Sequence, residues 1–299
     1  MNKPLVSIIS ICYNHEKYLE KAVDSFMNQT YGNIQLIMAD DASTDGSADL
    51  LKKLSEKEGF IFINNIKNIG VNNTITLCLA QAKGEYVSLI SADDYMHPDK
   101  TRKQVEYLLN TGKDGVYANA FAFSENEVQV VKCNPVFIKN DKKAVLERLY
   151  QYDWGGPLIQ SALFKSEVLE TLAPLRADFK SDDWAFAIKC YHDYDIGYID
   201  EPLFYYRLHD NNTHKKYWHT FPMRIDIISR LVPENFQLKA LSNIMQSQGS
   251  YLIGDKHWGK GLRFYFASVF LNFSFKNLLI MAKTIVTTAK NRLLKNNAG

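Results

Sequence analysis

The sequence predicts an α/β fold in which a mostly parallel central sheet is flanked by helices and followed by a helical C-terminal extension. Short apolar runs alternate with segments of helical spacing over residues 5–90, a pattern typical of a parallel sheet with helices on both faces. From about Asp114 the apolar segments are less regularly spaced, which indicates a mixed sheet in the second half. From Phe221 onward the pattern is mainly helical.

The first half supplies four predicted strands, each of which runs into polar residues. Leu5–Cys12 is a short run rich in branched apolar residues, and Glu16–Asn28 then shows helical spacing. The other elements of this half are strands at Ile34–Ala39, Phe60–Asn64 and Tyr86–Ile90, and helices at Asp45–Glu58, which Ser43 can cap, and Thr74–Ala82. Because ligands of such sheets bind beyond the carboxyl ends of the strands, functional residues are expected directly after them.

The second half offers fewer strand signals. Its apolar segments lie at Gly115–Phe123, Ile159–Phe164 and Ile196–Ile199. No internal repeat or low-complexity segment interrupts the sequence. A single large domain with a C-terminal appendage accounts for this organisation.

The composition is that of a globular protein, with 46% hydrophobic and 23% charged residues in 299. A formal net charge of +2 gives no electrostatic reason to expect a nucleic-acid partner. The four cysteines are far apart and form no CxxC pair, so buried free thiols are expected rather than a zinc ribbon or disulfides. The N-terminus lacks the features of a signal peptide, which predicts a cytoplasmic catalytic part.

Two adjacent carboxylates follow the fourth predicted strand. Asp93 and Asp94 come after the apolar run Tyr86–Ile90, at a strand end that water and ligands can reach. A divalent cation relieves the repulsion between such carboxylates, and oxygen ligands without a nearby cysteine favour Mg²⁺ or Mn²⁺ bridging to phosphate. A solvated turn or a helix cap is the alternative interpretation of the pair taken alone.

A second acidic turn, Asp40 and Asp41, ends the second predicted strand. A carboxylate at this place can accept a hydrogen bond from a uracil N3–H or a ribose hydroxyl, and Tyr13 in the neighbouring loop can stack on the base. A loop with an N-cap from Ser43 or Asp45 explains part of the segment, but a cap does not account for Asp40 and Asp41.

Two phosphate-binding patterns, GxGxxG and GxxxxGK[ST], are absent from the sequence. Doubly wound folds that bind dinucleotides or transfer the terminal phosphate of ATP usually carry one of them. The sequence therefore does not support a dehydrogenase or a P-loop kinase.

Several segments in a specific order carry a resemblance to a known family. The nucleotide-binding half of the family-2 inverting glycosyltransferases, which have the GT-A fold, is similar to VSIISICYNHEKYLEKAVDSFMNQTY, IQLIMADDASTDGS and AKGEYVSLISADDYMHPDK. The family's later acidic motif and closing histidine segment resemble SDDWAFAIKCYHD and IGYIDEPLFYYRLHDNN. The resemblance implies a catalytic domain at 1–220, with a nucleotide-sugar-binding half at 1–105 and an acceptor half at 106–220, before a helical extension at 221–299.

The resemblance also implies a metal site. Asp93 and Asp94 match the family's DXD-type motif, with Asp94 as the direct metal ligand and Asp93 as a donor contact. Many relatives have a third acid where this chain has Ser91, which excludes a site with three carboxylates here. His209 matches a family histidine that helps to hold the metal or the leaving diphosphate, and Arg207 adds positive charge for the donor beside it.

Further matching positions imply contacts to the nucleoside and to the acceptor. Tyr13, Asn14 and Asp41 would contact the nucleoside. Asp183 aligns with the catalytic base, and Asp182, where the family usually has glutamate, would shape the substrate site. The chemistry needs a base because the acceptor hydroxyl loses a proton as it attacks the anomeric carbon. An exposed carboxylate pair at a helix start is the alternative interpretation.

The function implied is transfer of a sugar, with inversion, from a nucleotide-sugar donor, above all a UDP-sugar, to an acceptor hydroxyl with Mn²⁺ or Mg²⁺ as cofactor. Two alternatives stay open from the residues alone. A nucleotidyltransferase also uses acidic residues and Mg²⁺ on an α/β sheet. A non-catalytic, membrane-associated scaffold could retain the same fold.

The C-terminal tail has an amphipathic pattern. Leu278–Leu293 places its apolar side chains on one stripe roughly 120° wide, with lysines along one flank. Such a stripe is typical of a helix at a membrane surface, and packing on the catalytic domain is the alternative. The aromatic stretch Phe264–Phe275 falls short of the ~20 residues needed to span a bilayer. We therefore expect peripheral contact with the inner face of the cytoplasmic membrane, and a lipid-linked glycan of a bacterial surface polysaccharide as acceptor.

Overall fold

The computed structural model of the chain describes residues 3–124, 127–153, 155–178, 183–208, 217–254 and 257–271. It contains two compact units. The first comprises Met1–Val145 and Gly155–Asp210, and the second comprises Leu146–Trp154 and Asn211–Gly299. The division into functional parts at 1–105, 106–220 and 221–299 stays a prediction.

Strands and helices alternate through the first half of the chain, as the apolar pattern predicts. The strands are β1 (Val6–Cys12), β2 (Ile34–Asp40), β3 (Ile61–Asn64), β4 (Tyr86–Ser91), β5 (Tyr95–Met96), β6 (Gly115–Phe123), β7 (Val128–Val131), β8 (Leu163–Lys165) and β9 (Ile196–Arg207). The helices are α1 (Leu19–Met27), α2 (Ser47–Glu58), α3 (Val71–Leu79), α4 (Lys100–Thr111), α5 (Pro135–Ile138), α6 (Lys142–Tyr150), α7 (Ser166–Asp178), α8 (Asp183–Asp193), α9 (Tyr217–Leu231), α10 (Glu234–Gly254) and α11 (Trp258–Leu271).

The nine strands found in the described residues form one sheet in the order β3-β2-β1-β4-β8-β6-β9-β5, with β7 paired to β6. The pairs among β1, β2, β3 and β4 are parallel, and β6 and β9 also pair in parallel. Because β8 lies antiparallel to both β4 and β6, those two strands share one direction. The sheet is therefore mostly parallel with antiparallel additions, which confirms the predicted fold class.

Helices cover both faces of this sheet. One face carries α1, α2 and α4, and the other carries α3 and α7. The core on the first face is built from alternate residues of the strands and apolar stripes of the helices, such as Ile8, Met38 and Phe26, all fully buried. All four cysteines are buried and free, as expected from their spacing, and burial raises the pKa of Cys12 and Cys78 to about 12.

The sheet is incomplete between β4 and β6, because β8 is short and pairs with only two residues of each. Two polar side chains of α4 fill the gap. Lys100 is fully buried and its Nζ donates to Ser88 Oγ at 3.0 Å and to the Ala162 carbonyl at 3.1 Å. Gln104 Nε2 donates to the carbonyl of Ser161 at 2.8 Å. These bonds satisfy buried oxygens that the short strand leaves unpaired, and desolvation lowers the pKa of Lys100 to about 7.

Several predicted boundaries need correction. The helix predicted from Asp45 begins at Ser47, with Gly46 at its N-cap and no side-chain cap. The prediction of Ser43 as that cap was wrong, because its Oγ instead donates to Asp40 and accepts from the backbone N–H of Asn14. Asp45 does accept a hydrogen bond from the Ser47 backbone, which is the local turn that this residue type favours.

Six elements were missing from the sequence analysis, namely β5, β7, α4, α5, α6 and α7, and one strand was too short. The strands β5 and β7 have only two and four residues, too few for a period-2 pattern to be recognised. The helix α4 carries polar residues on its buried face, which obscures its amphipathic pattern. The strand predicted to end at Ile199 continues to Arg207.

The second unit contains a close pair of helices, α10 and α11. Gly249 and Gly261 face each other, and a Cβ built on Gly261 would lie 2.6 Å from Ile253 and 2.9 Å from the Gly249 carbonyl. Ser242 Oγ donates to the Ser268 carbonyl at 2.9 Å across the same interface. Small residues thus allow the two backbones to approach closely. Among the described residues, no helix is both long enough and apolar enough to cross a membrane.

Candidate active site

The carboxyl ends of five parallel strands meet at one edge of the sheet. The final residues of β1, β2, β4, β6 and β9 are Cys12, Asp40, Ser91, Phe123 and Arg207. The loops that follow the first three strands carry the polar residues singled out in the sequence. The convergence predicted from the strand pattern is therefore present, and this edge is the candidate active site.

The loops after β1 and β2 are tied together by Asn14. Its backbone N–H donates to Ser43 Oγ at 2.9 Å, and its Oδ1 accepts from the Thr44 backbone at 2.7 Å. Its φ of 59° lies in the left-handed region that asparagine tolerates. The neighbouring Tyr13 is 45% exposed, so its ring is accessible for stacking. Nucleoside contact by both residues stays a prediction.

Asp41 is buried and holds the segment between β3 and α3. Its Oδ1 accepts from the Ile69 backbone at 2.9 Å and from Thr74 Oγ1 at 3.0 Å, and its Oδ2 accepts from the Gly70 backbone at 2.9 Å. Asn65 Nδ2 adds a further bond at 3.0 Å. The carboxylate thus fixes the loop beside the predicted nucleoside site, a role that its sequence position did not indicate.

Asp93 and Asp94 form the turn between β4 and β5, and both are buried. Asp94 Oδ1 accepts a hydrogen bond from the Arg207 backbone N–H at 2.8 Å. Its other oxygen accepts none from the described part of the chain. Asp93 Oδ2 lies 3.8 Å from His15 Nε2 in the loop after β1. The turn is therefore contacted both by the end of β9, through Arg207, and by the loop after β1, through His15.

The electrostatics of this turn suit a cation. Burial raises the pKa of Asp94 well above its ordinary value, the negative charge of Asp93 raises it further, and the Arg207 N–H and charge oppose the rise. Two adjacent acids in a buried turn are stabilised together when a positive ion shares them. Hard oxygen donors fit Mg²⁺ or Mn²⁺, so the carboxylates of Asp94 and Asp93 have the chemistry that the expected metal requires.

A full protein cage for a metal is not present in the residues described. No group of three or more His, Cys, Asp or Glu side chains is assembled there. His209 lies outside the described residues, as does Asp182. Their predicted contributions to metal and substrate binding therefore stay predictions.

Arg207 is the last residue of β9 and contacts the acidic turn twice. Besides the backbone bond to Asp94, its Nε donates to the Asp93 carbonyl at 2.8 Å. Its guanidinium carbon lies 4.2 Å from the ring centroid of Tyr18 and 4.5 Å from that of Phe123. The residue predicted from sequence as a donor contact thus lies at the candidate site and has direct structural partners there.

Asp183 is the first residue of α8. The helix is anchored in the core, because its own residues Trp184, Phe186 and Ile188 are buried. A carboxylate in the first turn faces the positive end of the helix dipole, which stabilises its charged form. The assignment of Asp183 as catalytic base stays a prediction.

The sequence analysis missed three residues of this edge. His15 follows β1 in the same loop as Asn14, so its position after a strand was an available signal, whereas Tyr18 lies in the helical turn Glu16–Tyr18 that comes next. Phe123 was placed at the end of a strand, but nothing in the sequence brought it to Arg207. Phe123 and Arg207 become neighbours only through the register of β6 against β9.

Comparison with known proteins identifies the family. The model of the family described as "Glycosyl transferase family 2" matches residues 7–172, more than half of the chain. The chain belongs to glycosyl transferase family 2. This match includes β1, β2, β4 and the Asp93–Asp94 turn, so the candidate site lies largely inside the family region. The chain is a glycosyltransferase, and membership does not support the alternatives of a nucleotidyltransferase or a non-catalytic scaffold.

Curated relatives agree with this family. An uncharacterized glycosyltransferase of Haemophilus influenzae is 30% identical over 192 residues, which cover 64% of this chain and 73% of the relative. The putative teichuronic acid biosynthesis glycosyltransferase TuaG of Bacillus subtilis is 34% identical over 110 residues, which cover 36% of this chain and 43% of TuaG.

Solved structures share the fold. S. aureus TarS 1-349 in complex with UDP-GlcNAc has a TM-score of 0.62 at 17% identity, covering 95% of this chain and 89% of that one. The mannosyltransferase PcManGT of Pyrobaculum calidifontis, in complex with GDP-Man and Mn²⁺, also has a TM-score of 0.62 at 18% identity, covering 96% and 81%. These likenesses confirm the GT-A fold of this glycosyltransferase.

Proposed function

We propose that this glycosyltransferase moves a sugar from a nucleotide-sugar donor, above all a UDP-sugar, to an acceptor hydroxyl with inversion at the anomeric carbon. The observation that carries the proposal is the Asp93–Asp94 turn. Asp94 is buried, anchored through one oxygen by the Arg207 N–H, and placed beside a second carboxylate. Such an arrangement fits a cation that also contacts the phosphates of a nucleotide.

Each predicted residue of the candidate active site has a proposed role in binding. Tyr13 stacks on the base, and Asn14 and Asp41 contact the nucleoside from the loops they hold. Asp93 and Arg207 contact the donor, and Asp182 shapes the substrate site. Asp94 holds Mn²⁺ or Mg²⁺, with His209 as a further ligand. When bound, the metal neutralises the charge that develops on the departing diphosphate.

The proposed transfer is a single displacement. Asp183 accepts the proton of the acceptor hydroxyl as its oxygen forms the bond to the anomeric carbon. The bond from that carbon to the diphosphate oxygen breaks in the same step, and its electron pair leaves with the nucleoside diphosphate. Attack from the face opposite the leaving group inverts the configuration, and no covalent sugar-enzyme intermediate is formed.

The names of similar proteins support a donor and an acceptor class. TarS and PcManGT were solved with UDP-GlcNAc and GDP-Man, both nucleotide-sugars, and PcManGT also with Mn²⁺. TuaG is named for teichuronic acid biosynthesis. We therefore propose a lipid-linked glycan of a bacterial surface polysaccharide as the acceptor.

Calorimetric titration tests the donor and the metal together. UDP-GlcNAc, other UDP-sugars and GDP-Man are titrated with Mn²⁺, with Mg²⁺ and with EDTA. We expect a UDP-sugar to bind at least about tenfold more tightly with Mn²⁺ than with EDTA, a difference of about 1.4 kcal/mol. Tighter binding of GDP-Man would contradict the UDP assignment, and equal binding with EDTA would contradict the metal.

A membrane contact is also proposed, at the exposed face of α11. Lys260, Arg263, Phe266 and Phe270 are all exposed, with Phe266 at 63% and Phe270 at 93%. At 100° per residue they lie on one stripe about 120° wide, opposite the buried Tyr265. Exposed aromatic side chains beside basic ones are typical of a helix at an anionic lipid surface. The amphipathic stripe predicted at 278–293 lies outside the described residues.

Sedimentation with lipid vesicles tests this contact. Replacing Phe266 and Phe270 together by serine is expected to lower binding to phosphatidylserine-containing vesicles at least about tenfold, because each ring contributes about 1.5–3 kcal/mol when buried. Leu238→Ser removes an equally exposed apolar side chain, at 62%, from α10 and serves as the control. Wild-type protein that stays in the supernatant would refute the membrane proposal.

A further inference from the structure

The guanidinium of Arg207 lies against two aromatic rings next to the acidic turn of the site. Arg207 Cζ is 4.2 Å from the Tyr18 ring centroid and 4.5 Å from the Phe123 ring centroid. Phe123 is the cross-strand partner of Arg207 in the β6–β9 pair, and Tyr18 comes from the short helical turn before α1. The three side chains therefore join three separate segments of the edge.

The same arginine holds both residues of the turn. Its backbone N–H donates to Asp94 Oδ1 and its Nε donates to the Asp93 carbonyl, each at 2.8 Å. The pairing of β5 with β9 ends at Tyr95 and Tyr205. Beyond this pair, the backbone N–H of Arg207 donates to the side chain of Asp94 and not to the backbone of a neighbouring strand. That bond fixes the rotation of the Asp94 carboxylate, while the bond to the Asp93 carbonyl fixes the backbone before it.

We infer that Tyr18 and Phe123 act with Arg207 as positioning residues, which hold the Asp93–Asp94 turn in the geometry that binds metal and donor. The inference rests on the proposed role of this turn. Two adjacent, buried carboxylates repel each other, so the turn tends to open unless it is held. A site keeps its geometry only when the residues around it lock its side chains.

The stacking explains why this position holds an arginine. A guanidinium is flat, so two aromatic rings packed against it restrict its plane and hence the direction of Nε. A lysine would keep the positive charge but has no planar group and no Nε donor. If Arg207 acted only as a charge for the leaving diphosphate, lysine would serve and the rings would matter little.

Matched variants of Tyr18 separate these roles. Tyr18→Phe keeps the ring, and Tyr18→Leu removes it at similar volume. We expect Tyr18→Leu to raise the Mn²⁺ activation constant and the donor KM about tenfold with kcat changed less, and Tyr18→Phe to stay within about twofold of wild type. Arg207→Lys is expected to resemble Tyr18→Leu. Equal effects of Tyr18→Phe and Tyr18→Leu, or full activity of Arg207→Lys, would overturn the positioning role.

Hydrogen exchange gives a readout that does not depend on activity. Peptides that cover residues 92–96 and the end of β9 should exchange several-fold faster in Tyr18→Leu than in Tyr18→Phe. Lys3→Leu removes a different cation–π contact, in which Lys3 Nζ lies 5.6 Å from the centroid of the Tyr31 ring. This control variant should leave the exchange of these peptides unchanged. Unchanged exchange in Tyr18→Leu would refute the positioning of the turn by Tyr18, Phe123 and Arg207. Faster exchange, together with a wild-type protein that binds no nucleotide-sugar, would support this positioning role and refute the proposed function.

Discussion

Replacing Asp94 with asparagine is expected to lower sugar transfer by about 10³-fold, because several kcal/mol of metal-dependent charge stabilisation is lost. Asparagine keeps the shape of the side chain, and its Oδ1 can still accept the Arg207 N–H that Asp94 accepts at 2.8 Å. The other oxygen becomes a neutral NH₂ group, which cannot hold a cation. The measurements are transfer rate at saturating donor and calorimetric donor affinity with Mn²⁺.

The stability of the same variant distinguishes loss of metal from loss of fold. Asp94 is buried beside Asp93, and its raised pKa shows that the charged form is disfavoured without a cation. The neutral asparagine removes this repulsion, so the metal-free variant should melt at or above the temperature of the wild type. A large fall in melting temperature would show instead that the activity loss reflects unfolding.

A nearby acid provides the control for Asp94. Asp99 lies five residues further along the chain, at the start of α4, is partly exposed and pairs with Arg102 at 3.0 Å. Asp99→Asn should transfer sugar within about twofold of wild type, since exposed ion pairs contribute at most about 1 kcal/mol. If Asp94→Asn were as active as Asp99→Asn, Asp94 would not be the metal ligand.

The pH dependence of metal binding follows from the same carboxyl group. A proton and a metal compete for Asp94, and burial together with the charge of Asp93 raises its pKa well above the usual value of about 3.9. The apparent Mn²⁺ affinity should therefore rise with pH over a range above that of an ordinary aspartate. Mn²⁺ activation constants measured between about pH 5 and about pH 8 check this direction.

The sequence was sufficient to predict the strand ends of the site. Apolar runs such as Tyr86–Ile90 locate the buried strands, and a parallel sheet places the residues after them at one edge. The acidic turns, with Asp41 and Asp94, therefore lie at the same edge of the sheet as expected. Local patterns determine this part of the fold because β1 and β4 are buried on both faces.

Long-range contacts were beyond the sequence patterns. The strand β9 passes through Pro202 at an irregularity in its pairing with β6, where the register shifts around Asn119. Proline in a run argues against a strand, and the predicted segment Ile196–Ile199 ends before Pro202. The strand pattern therefore gave no indication that Arg207 would donate to Asp94 or lie against Phe123.

The structural role of Asp41 could not be predicted from the sequence for a related reason. Its position at a strand end predicted a nucleoside contact, which stays a prediction, and its carboxylate also accepts hydrogen bonds from Ile69, Gly70 and Thr74. These donors lie 28 to 33 residues away along the chain, and no short-range pattern announces them. Carboxylates that organise a loop and those that bind a ligand can occupy the same place after a strand.

Replacing Asp183 with asparagine is expected to lower transfer by about 10² to 10⁴-fold while donor binding stays unchanged. Asp183 begins α8, so its loss removes a favourable helix-dipole interaction of only about 0.3–1 kcal/mol. Such a change in stability is too small to explain the expected loss of rate. In this variant, calorimetry should therefore give a donor affinity equal to that of the wild type, while product analysis should give a much lower transfer rate.

The far end of the same helix supplies the control for Asp183. Asp193, the last residue of α8, pairs with Lys189 at 3.0 Å, and Asp193→Asn should leave transfer nearly unchanged. Asp182→Asn, made in parallel, tests the neighbouring position, since a larger loss there would move the base by one residue. A base must be unprotonated to act, so the acidic limb of the kcat profile should also vanish in Asp183→Asn. Transfer at the wild-type rate by Asp183→Asn would refute the assignment of this residue as base.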